Sequence, residues 1–305
     1  MPDPSAATII YNPVAGRLVR RPDLIPQAAE RLQALLGRLV LQPTTGPDTA
    51  GRLAREAIAA GSRLIIAAGG DGTVNEVVNG MAGSEVPLAV LPAGTANVLA
   101  TETGIGSDLL RAADRYSGLE PRDIALGRLS LPGSPPRFLL LMAGVGLDAR
   151  IVRLVDPAFK RRWGKLSYWQ GGFAQVGTAL PEFDVTFDGI TRRASFALLS
   201  RVKNYGGDLE IARHADLLGD DFAVVLFEGP SSLRYLKYFA GVLVNRLDGM
   251  KGVTVARARS MEFRPAGDEP IDIQIDGEHA GFAPARLEIA PERLRLMLPR
   301  AFRSR

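Results

Sequence analysis

The stretch from Leu64 to Gly80, LIIAAGGDGTVNEVVNG, constrains this chain more than any other. The apolar run Leu64–Ala68 reads as a buried strand, and Val74, Val77 and Val78 take up helical spacing from Thr73 onward. Gly69, Gly70 and Gly72 form the turn between them. Glycines tolerate backbone angles that other residues resist and let a phosphate come close to bare N–H groups at a helix start. An anion site is therefore expected. Thr73 followed by Glu76 is spaced as a capping box, which would satisfy the helix start without any ligand. Asp71 needs a further reason, because a carboxylate in such a turn repels phosphate unless a divalent cation or a proton transfer involves it.

The flanking sequence repeats the strand–turn–helix rhythm. Thr8–Tyr11 reads as a short strand ending at Asn12-Pro13, with Gly16 completing a turn. A helix is expected from about Asp23 to Leu39, with Ile25, Ala28, Ala29, Leu32, Leu35, Leu36 and Leu39 on one face. After the Thr44–Pro47 loop comes a second helix, about Asp48 to Ala60, ending at Gly61. Leu88–Leu91 is another buried strand, and Pro92–Thr95 another glycine loop with Thr95 as a candidate N-cap. Strands alternating with helices to about Gly118 predict a parallel sheet covered by helices, a doubly wound α/β domain. Ligands of such sheets bind at the carboxyl ends of the strands, where all three glycine loops emerge.

With 305 residues the chain can hold two modest cores. After Pro121 the rhythm changes, so the expected domains are residues 1–121 and 122–305. Asp123–Leu131 and Phe138–Ala143 read as strands. From Glu182 short strands dominate, with a hairpin signal at Asp188-Gly189, runs at Phe222–Phe227, Val253–Ala258, Ile271–Ile275 and Arg286–Ile289, and one helix from about Ser231 to Arg246. The chain is 46% hydrophobic and 23% charged, the balance of an ordinary globular protein. Its longest apolar run, Phe138–Leu147, is far short of the ~20 residues that span a bilayer. No basic segment followed by an apolar one opens the sequence, so secretion is not expected. The absence of cysteine excludes disulfides, thiolate catalysis and cysteine-ligated zinc. A net charge of +4, spread along the chain, gives no reason to expect nucleic acid as a partner.

Three patterns invite other readings. Gly144-Val145-Gly146-Leu147-Asp148-Ala149 fits a dinucleotide fingerprint, but no second parallel strand follows it. His279, beside Asp276 and Glu278, reads as a turn histidine rather than a metal ligand. The basic and aromatic residues from Arg150 to Tyr168, and Tyr235, Lys237, Tyr238 and Phe239 later, suit either a membrane interface or a helix packing its rings inward.

Gly69-Gly70-Asp71-Gly72-Thr73-x-Asn75-Glu76 resembles the signature of the diacylglycerol kinase catalytic-domain family, which includes bacterial lipid kinases and sphingosine and ceramide kinases. Asn12-Pro13-Val14-Ala15-Gly16, Pro92-Ala93-Gly94-Thr95-Ala96-Asn97 and Asp276-Gly277-Glu278 agree with it in order and spacing. The resemblance implies an N-terminal α/β domain like that of NAD kinase and phosphofructokinase and a C-terminal β-sandwich-like domain, whose last residues can pack back on the first. It implies transfer of the γ-phosphate of ATP, with Mg²⁺, to the hydroxyl of a diacylglycerol-like lipid. The implied nucleotide contacts are Asn12, Pro13, Gly16, Thr44, Gly69, Gly70, Asp71, Gly72, Thr73, Asn75, Glu76, Gly94, Thr95 and Asn97. The implied catalytic residues are Asp71, Asp276 and Glu278; Asp71 would hold magnesium directly or through water, and Glu278, more than Asp276, would take the proton of the lipid hydroxyl. Asp276-Gly277 in isolation is simply a hairpin turn.

The sequence departs from the family at Gly206-Gly207-Asp208, where many bacterial members have three glycines, and at Leu218-Gly219-Asp220-Asp221, where they carry an Asp-Gly pair of a structural magnesium site. Asp216, Asp220 and Asp221 remain the candidate oxygen ligands there. The expected partner is a lipid at a membrane surface, with a homodimer compatible with the sequence and the protein cytoplasmic and peripheral. The alternatives are a kinase acting on NAD or on a sphingoid or ceramide acceptor, and a nucleotide-binding module impaired in catalysis.

Overall fold

The structure, a computed structural model, describes residues 7–154, 179–205, 209–243 and 246–303. The chain divides into two compact units, Met1–Leu126 with Pro291–Ser304, and Gly127–Ala290 with Arg305.

In the first unit the elements run β1 (Ala7–Tyr11), α1 (Gly16–Arg20), α2 (Leu24–Leu36), β2 (Leu39–Pro43), α3 (Ala50–Ala59), β3 (Leu64–Gly69), α4 (Asp71–Met81), β4 (Leu88–Pro92), α5 (Val98–Glu102) and α6 (Leu109–Asp114). The strands stand in the order β2-β1-β3-β4, each parallel to its neighbour. Helices on both faces explain the unbroken apolar runs. Ile9, Ile66 and Ala68 join Ile25, Ala28 and Leu32 of α2 and Leu109 and Ala112 of α6 in one core cluster. Ile10, Ile65 and Ala67, which alternate with them, are also buried.

One strand, β2, departs from expectation, since the helix was extended to Leu39. Gly37, at φ 75°, ends α2 with its N–H on the Gln33 carbonyl, and Leu39–Pro43 then pairs with β1. As an edge strand it is only half buried, so it lacks the apolar run that marks β3 and β4.

The second unit, in its described residues, is mainly short strands and loops, with two helices. It contains most of β5 (Leu119–Ser130), then β6 (Arg137–Leu139), β7 (Met142–Gly146), α7 (Leu147–Leu154), β8 (Phe183–Phe187), β9 (Ile190–Ala194), β10 (Phe196–Ser200), β11 (Asn204–Tyr205), β12 (Leu209–Glu210), β13 (Phe222–Phe227), α8 (Leu233–Leu243), β14 (Val253–Ala258), β15 (Ser260–Pro265), β16 (Asp272–Ile275), β17 (Glu278–Phe282) and the start of β18 (Ala285–Pro299). One antiparallel sheet has the order β14-β13-β10-β7-β16-β17. A second antiparallel set joins residues 285–288 of β18 to β15, β8 and β9. Alternate residues of both, among them Val145, Leu199, Val224, Ile273, Phe183, Phe263 and Leu287, form one core, which is a β-sandwich. Later in β18, Leu296 pairs with Leu88 in the first unit's parallel sheet.

Both Asp-Gly hairpins form. Asp188 and Gly189 have φ of 49° and 73°, Asp276 and Gly277 48° and 86°, so each pair supplies the two left-handed positions of a tight turn. The glycine pattern at 144–149 does cross a strand–helix junction, but β7 has only antiparallel partners, β10 and β16. Among the described residues no parallel βαβ unit of a dinucleotide site follows it.

Candidate active site

The glycine loops meet at one edge of the first unit's sheet, because β1, β2, β3 and β4 run parallel and end together. The Asn12 N–H donates to the Ala68 carbonyl at 3.0 Å, Thr44 N–H to Tyr11 at 2.8 Å, and Arg17 N–H to Ala93 at 3.1 Å. Ala93 and Gly94 both donate to the Gly69 carbonyl. Asn12 folds its own loop, with Oδ1 accepting from Val14 N–H at 3.0 Å, while its Nδ2 reaches Thr73 Oγ1 at 3.4 Å. Asn12, Gly16, Gly69–Thr73 and Gly94–Asn97 are thereby gathered around the start of α4, while Thr44 follows the edge strand β2 on the far side of β1. The N–H groups of a helix's first turn lack intrahelical acceptors, and they carry the positive end of its dipole.

The reason for the glycines differs from expectation. Gly69, Gly70, Gly72 and Gly94 are not among the residues with left-handed φ. Gly94 and Gly70 are small because two loops touch, a Cβ on Gly94 lying 2.4 Å from Gly70 Cα, and Gly69 is small because a Cβ there would lie 2.6 Å from Thr73 Oγ1 of its own turn. Gly94→Ala therefore has to push backbone against backbone. Its expected cost is about 1–3 kcal/mol of stability, read by denaturant unfolding.

Thr73 and Glu76 do not form a capping box. Gly70 is the N-cap of α4, without a side-chain bond, and the Glu76 carboxylate instead accepts from Ala50 N–H at 2.9 Å, at the first residue of α3. Asn75 is buried and accepts from Asn79 Nδ2 at 3.1 Å. The Glu76 carboxylate thus joins α4 to the start of α3, while the Asn75 amide bonds within α4. Thr95 is exposed and does not cap α5; Asn97 stands at that position with φ 48° and ties itself to Gly94 N–H and C=O at 2.9 and 2.8 Å. The α5 cap comes from Asp71, whose carboxylate accepts from Val98 N–H at 3.1 Å and Leu99 N–H at 3.4 Å. This resolves the electrostatic difficulty posed by a carboxylate in an anion-binding turn, because the charge is turned toward a second helix start.

In the second unit the two acidic residues of the β16–β17 turn have different surroundings. Asp276 is buried, and its oxygens accept from the N–H groups of Leu140, Leu141 and Met142 at 2.8, 2.9 and 2.9 Å. Its own N–H donates to the Met142 carbonyl. Glu278 is 44% exposed at its side chain, with Arg137 3.7 Å away. Asp276 thus anchors the turn, and Glu278 presents a carboxylate to solvent. His279 lies in β17 rather than in the turn itself; its Nε2 is 3.0 Å from the buried Asp272, which Arg153 also contacts.

The region 216–221 does not fit a magnesium site. Asp216 Oδ1 accepts from Leu218 N–H, and Asp221 forms a two-pronged pair with Arg257 at 2.8 and 2.7 Å. Among the described residues no group of three acidic, histidine or cysteine side chains is placed to hold a metal. The cation in this loop is Arg201, which is fully buried and donates to the carbonyls of Leu217 at 2.7 Å, Gly219 at 3.0 Å and Asp221 at 3.4 Å. Sequence reasoning passed over it, although an arginine two residues after the apolar run Phe196–Leu199 is itself a sign of a specific buried partner. Arg201→Met leaves these carbonyls without their donor and should cost about 3 kcal/mol or more, while a chelator should leave the parent's melting midpoint unchanged; thermal melts with and without EDTA check both.

The later aromatic residues pack inward. Tyr235 and Tyr238 of α8 stack among Phe196 and Phe227, and burial drives the Tyr235 hydroxyl far above the usual tyrosine range against the pull of its bond to Ser195. The Phe239 side chain lies outside the described residues. Most of the Arg150–Tyr168 stretch, and Gly206-Gly207-Asp208, lie outside the described residues.

Residues 6–129 match the diacylglycerol kinase catalytic domain, and residues 142–298 match the YegS C-terminal NAD kinase beta sandwich-like domain. A diacylglycerol kinase of Bacillus subtilis is 26% identical over 300 residues, 96% of each chain. One of Mycobacterium tuberculosis is 27% identical over 251 residues, 80% of this chain and 79% of that one. A crystal structure of a diacylglycerol kinase from Bacillus anthracis superposes with a TM-score of 0.76 at 21% identity, covering 97% of this chain and 98% of that one, which shows the common fold. With both of its domains matched in order along nearly its whole length, the chain belongs to the diacylglycerol kinase catalytic-domain family, in the two-domain form that carries a YegS-type β-sandwich.

Proposed function

We propose that this protein is an ATP-dependent lipid kinase that phosphorylates the hydroxyl of a diacylglycerol-like lipid. The observation that carries the reading is the loop cluster at the start of α4, where Asn12, Gly69–Thr73 and Gly94–Asn97 are bonded to one another around N–H groups suited to phosphate. Those loops bind and orient the nucleotide. Magnesium enters with ATP, and when bound it neutralises phosphate charge as the γ-phosphoryl group transfers. Asp71 suits a single-carboxylate contact to that ion, since a carboxylate offers about four acceptor sites and two N–H bonds are compatible with a cation. Glu278 accepts the proton of the lipid hydroxyl as its oxygen bonds to the γ-phosphorus and the bond to the β-phosphate oxygen breaks, releasing ADP.

Contact with the bilayer surface is part of this reading. Val14 and Val19 are 68% and 63% exposed beside the glycine loops, with the cationic Arg20 adjacent. No helix among the described residues is long and apolar enough to cross a membrane. The test is transfer of labelled γ-phosphate from MgATP into diacylglycerol, sphingosine and ceramide in mixed micelles, with NAD as a soluble control. Labelled diacylglycerol supports the proposal. Label in NAD alone, or ATP binding without transfer to any acceptor, overturns it.

A further inference from the structure

The proposed base, Glu278, sits on a turn whose geometry is held from inside the sandwich. Gln274 of β16 accepts from Gly277 N–H through Oε1 at 2.9 Å and donates through Nε2 to Asp148 Oδ2 at 2.8 Å. The other Asp148 oxygen accepts from the Tyr205 hydroxyl. Asp148 is 1% exposed and Gln274 2%. The carboxylate occupies space that no side chain could share: a Cβ on Gly144 would lie 1.6 Å from Asp148 Oδ2. The register between β16 and β17 shifts at Ile273 and Gln274, a local irregularity of the kind that re-aims a side chain.

A glutamine amide can face either way, and its partners decide which. With the Tyr205 hydroxyl and Gln274 Nε2 both donating to it, Asp148 takes the acceptor role, so Nε2 faces it and Oε1 is left for Gly277. We propose that Asp148 and Gln274 are positioning residues that set the Asp276-Gly277-Glu278 turn for proton acceptance, Asp148 acting by fixing which way the Gln274 amide faces. This rests on the reading of Glu278 as the base. Asp276, bonded to the N–H groups of Leu140, Leu141 and Met142, braces the turn on one side, and Gln274 braces it on the other. A base displaced by about 1 Å can lose 10²-fold in rate, so bracing of this kind matters for turnover. Burial raises the Asp148 carboxyl above the ordinary aspartate range, while its bonds to Tyr205 and Gln274 draw it down.

The decisive experiment exchanges the amide and the carboxylate. In Asp148→Asn, a donor can replace the acceptor facing Gln274; if the glutamine turns over to meet it, an NH₂ faces Gly277 N–H and the brace is lost. The expected result is a kcat lower by about 10–100-fold with KM for ATP within ~2-fold of the parent. In Asp148→Asn combined with Gln274→Glu, the asparagine donates to one glutamate oxygen and Gly277 donates to the other. Activity should return to within ~3-fold of the parent, which loss of packing alone would not allow. Gln274→Met removes the brace without exchanging charge and should repeat the kcat loss, so the proposal stays testable if Asp148→Asn folds poorly. A fully active Gln274→Met protein, or a double variant no more active than a folded Asp148→Asn protein, overturns the positioning role. Glu278→Gln is assayed in parallel: if it keeps the parent kcat, the base assignment has failed, whereas its loss together with failure of the exchange rejects the brace alone.

Discussion

Glu278→Gln should lower kcat by about 10²–10⁴-fold, the usual contribution of a positioned general base, while KM for ATP and the melting midpoint stay near the parent's. The Glu278 side chain is 44% exposed and lies 3.7 Å from Arg137, and an exposed ion pair of this kind is worth little to stability. Asp276→Asn should behave differently. Its carboxylate serves three buried N–H groups, so the amide, which retains a single acceptor oxygen, leaves at least one of them poorly paired. That change should cost about 1–3 kcal/mol in denaturant unfolding, with loss of rate following from the disturbed turn. A Glu278→Gln protein with activity near the parent's, alongside an inactive but folded Asp276→Asn protein, would move the base to Asp276.

What was legible in the sequence follows from the range of the interactions involved. The Asp-Gly hairpins at 188–189 and 276–277 were readable because a tight turn is settled by two adjacent residues able to take positive φ. The strands β13 and β14 were readable because their residues are apolar or alternate within a short window. Strand β2 was not, since an edge strand needs little apolar surface and its pairing partner lies far along the chain. The site shows the same division. The loops could be placed at the carboxyl ends of the strands from their order alone, but the duties of individual side chains could not. Asp71 caps a helix 27 residues further on, Glu76 caps one 26 residues back, and Arg201 holds carbonyls at 217, 219 and 221. Spacing rules describe a helix and its own cap; they do not contain the neighbouring helix start that takes the side chain instead.

That dual duty shapes the second large effect, Asp71→Asn. Asparagine keeps one acceptor oxygen, so one of the Val98 and Leu99 N–H bonds survives and the stability loss should stay near 1 kcal/mol, as for other capping changes. It removes the negative charge, and with it the proposed contact to nucleotide-bound magnesium, so kcat should fall by about 10²–10³-fold, the scale of losing one electrostatic contact to a reacting group. Asp71→Ala removes both the charge and the cap. It should match Asp71→Asn in rate while unfolding more easily, because α5 and the Asn97–Gly94 loop lose their anchor. Comparing the two by denaturant unfolding and by single-turnover phosphoryl transfer separates the duties. If Asp71→Asn keeps a rate within a few-fold of the parent and Asp71→Ala is merely unstable, the carboxylate is a helix cap alone, and the charge that assists transfer must come from elsewhere in the loops.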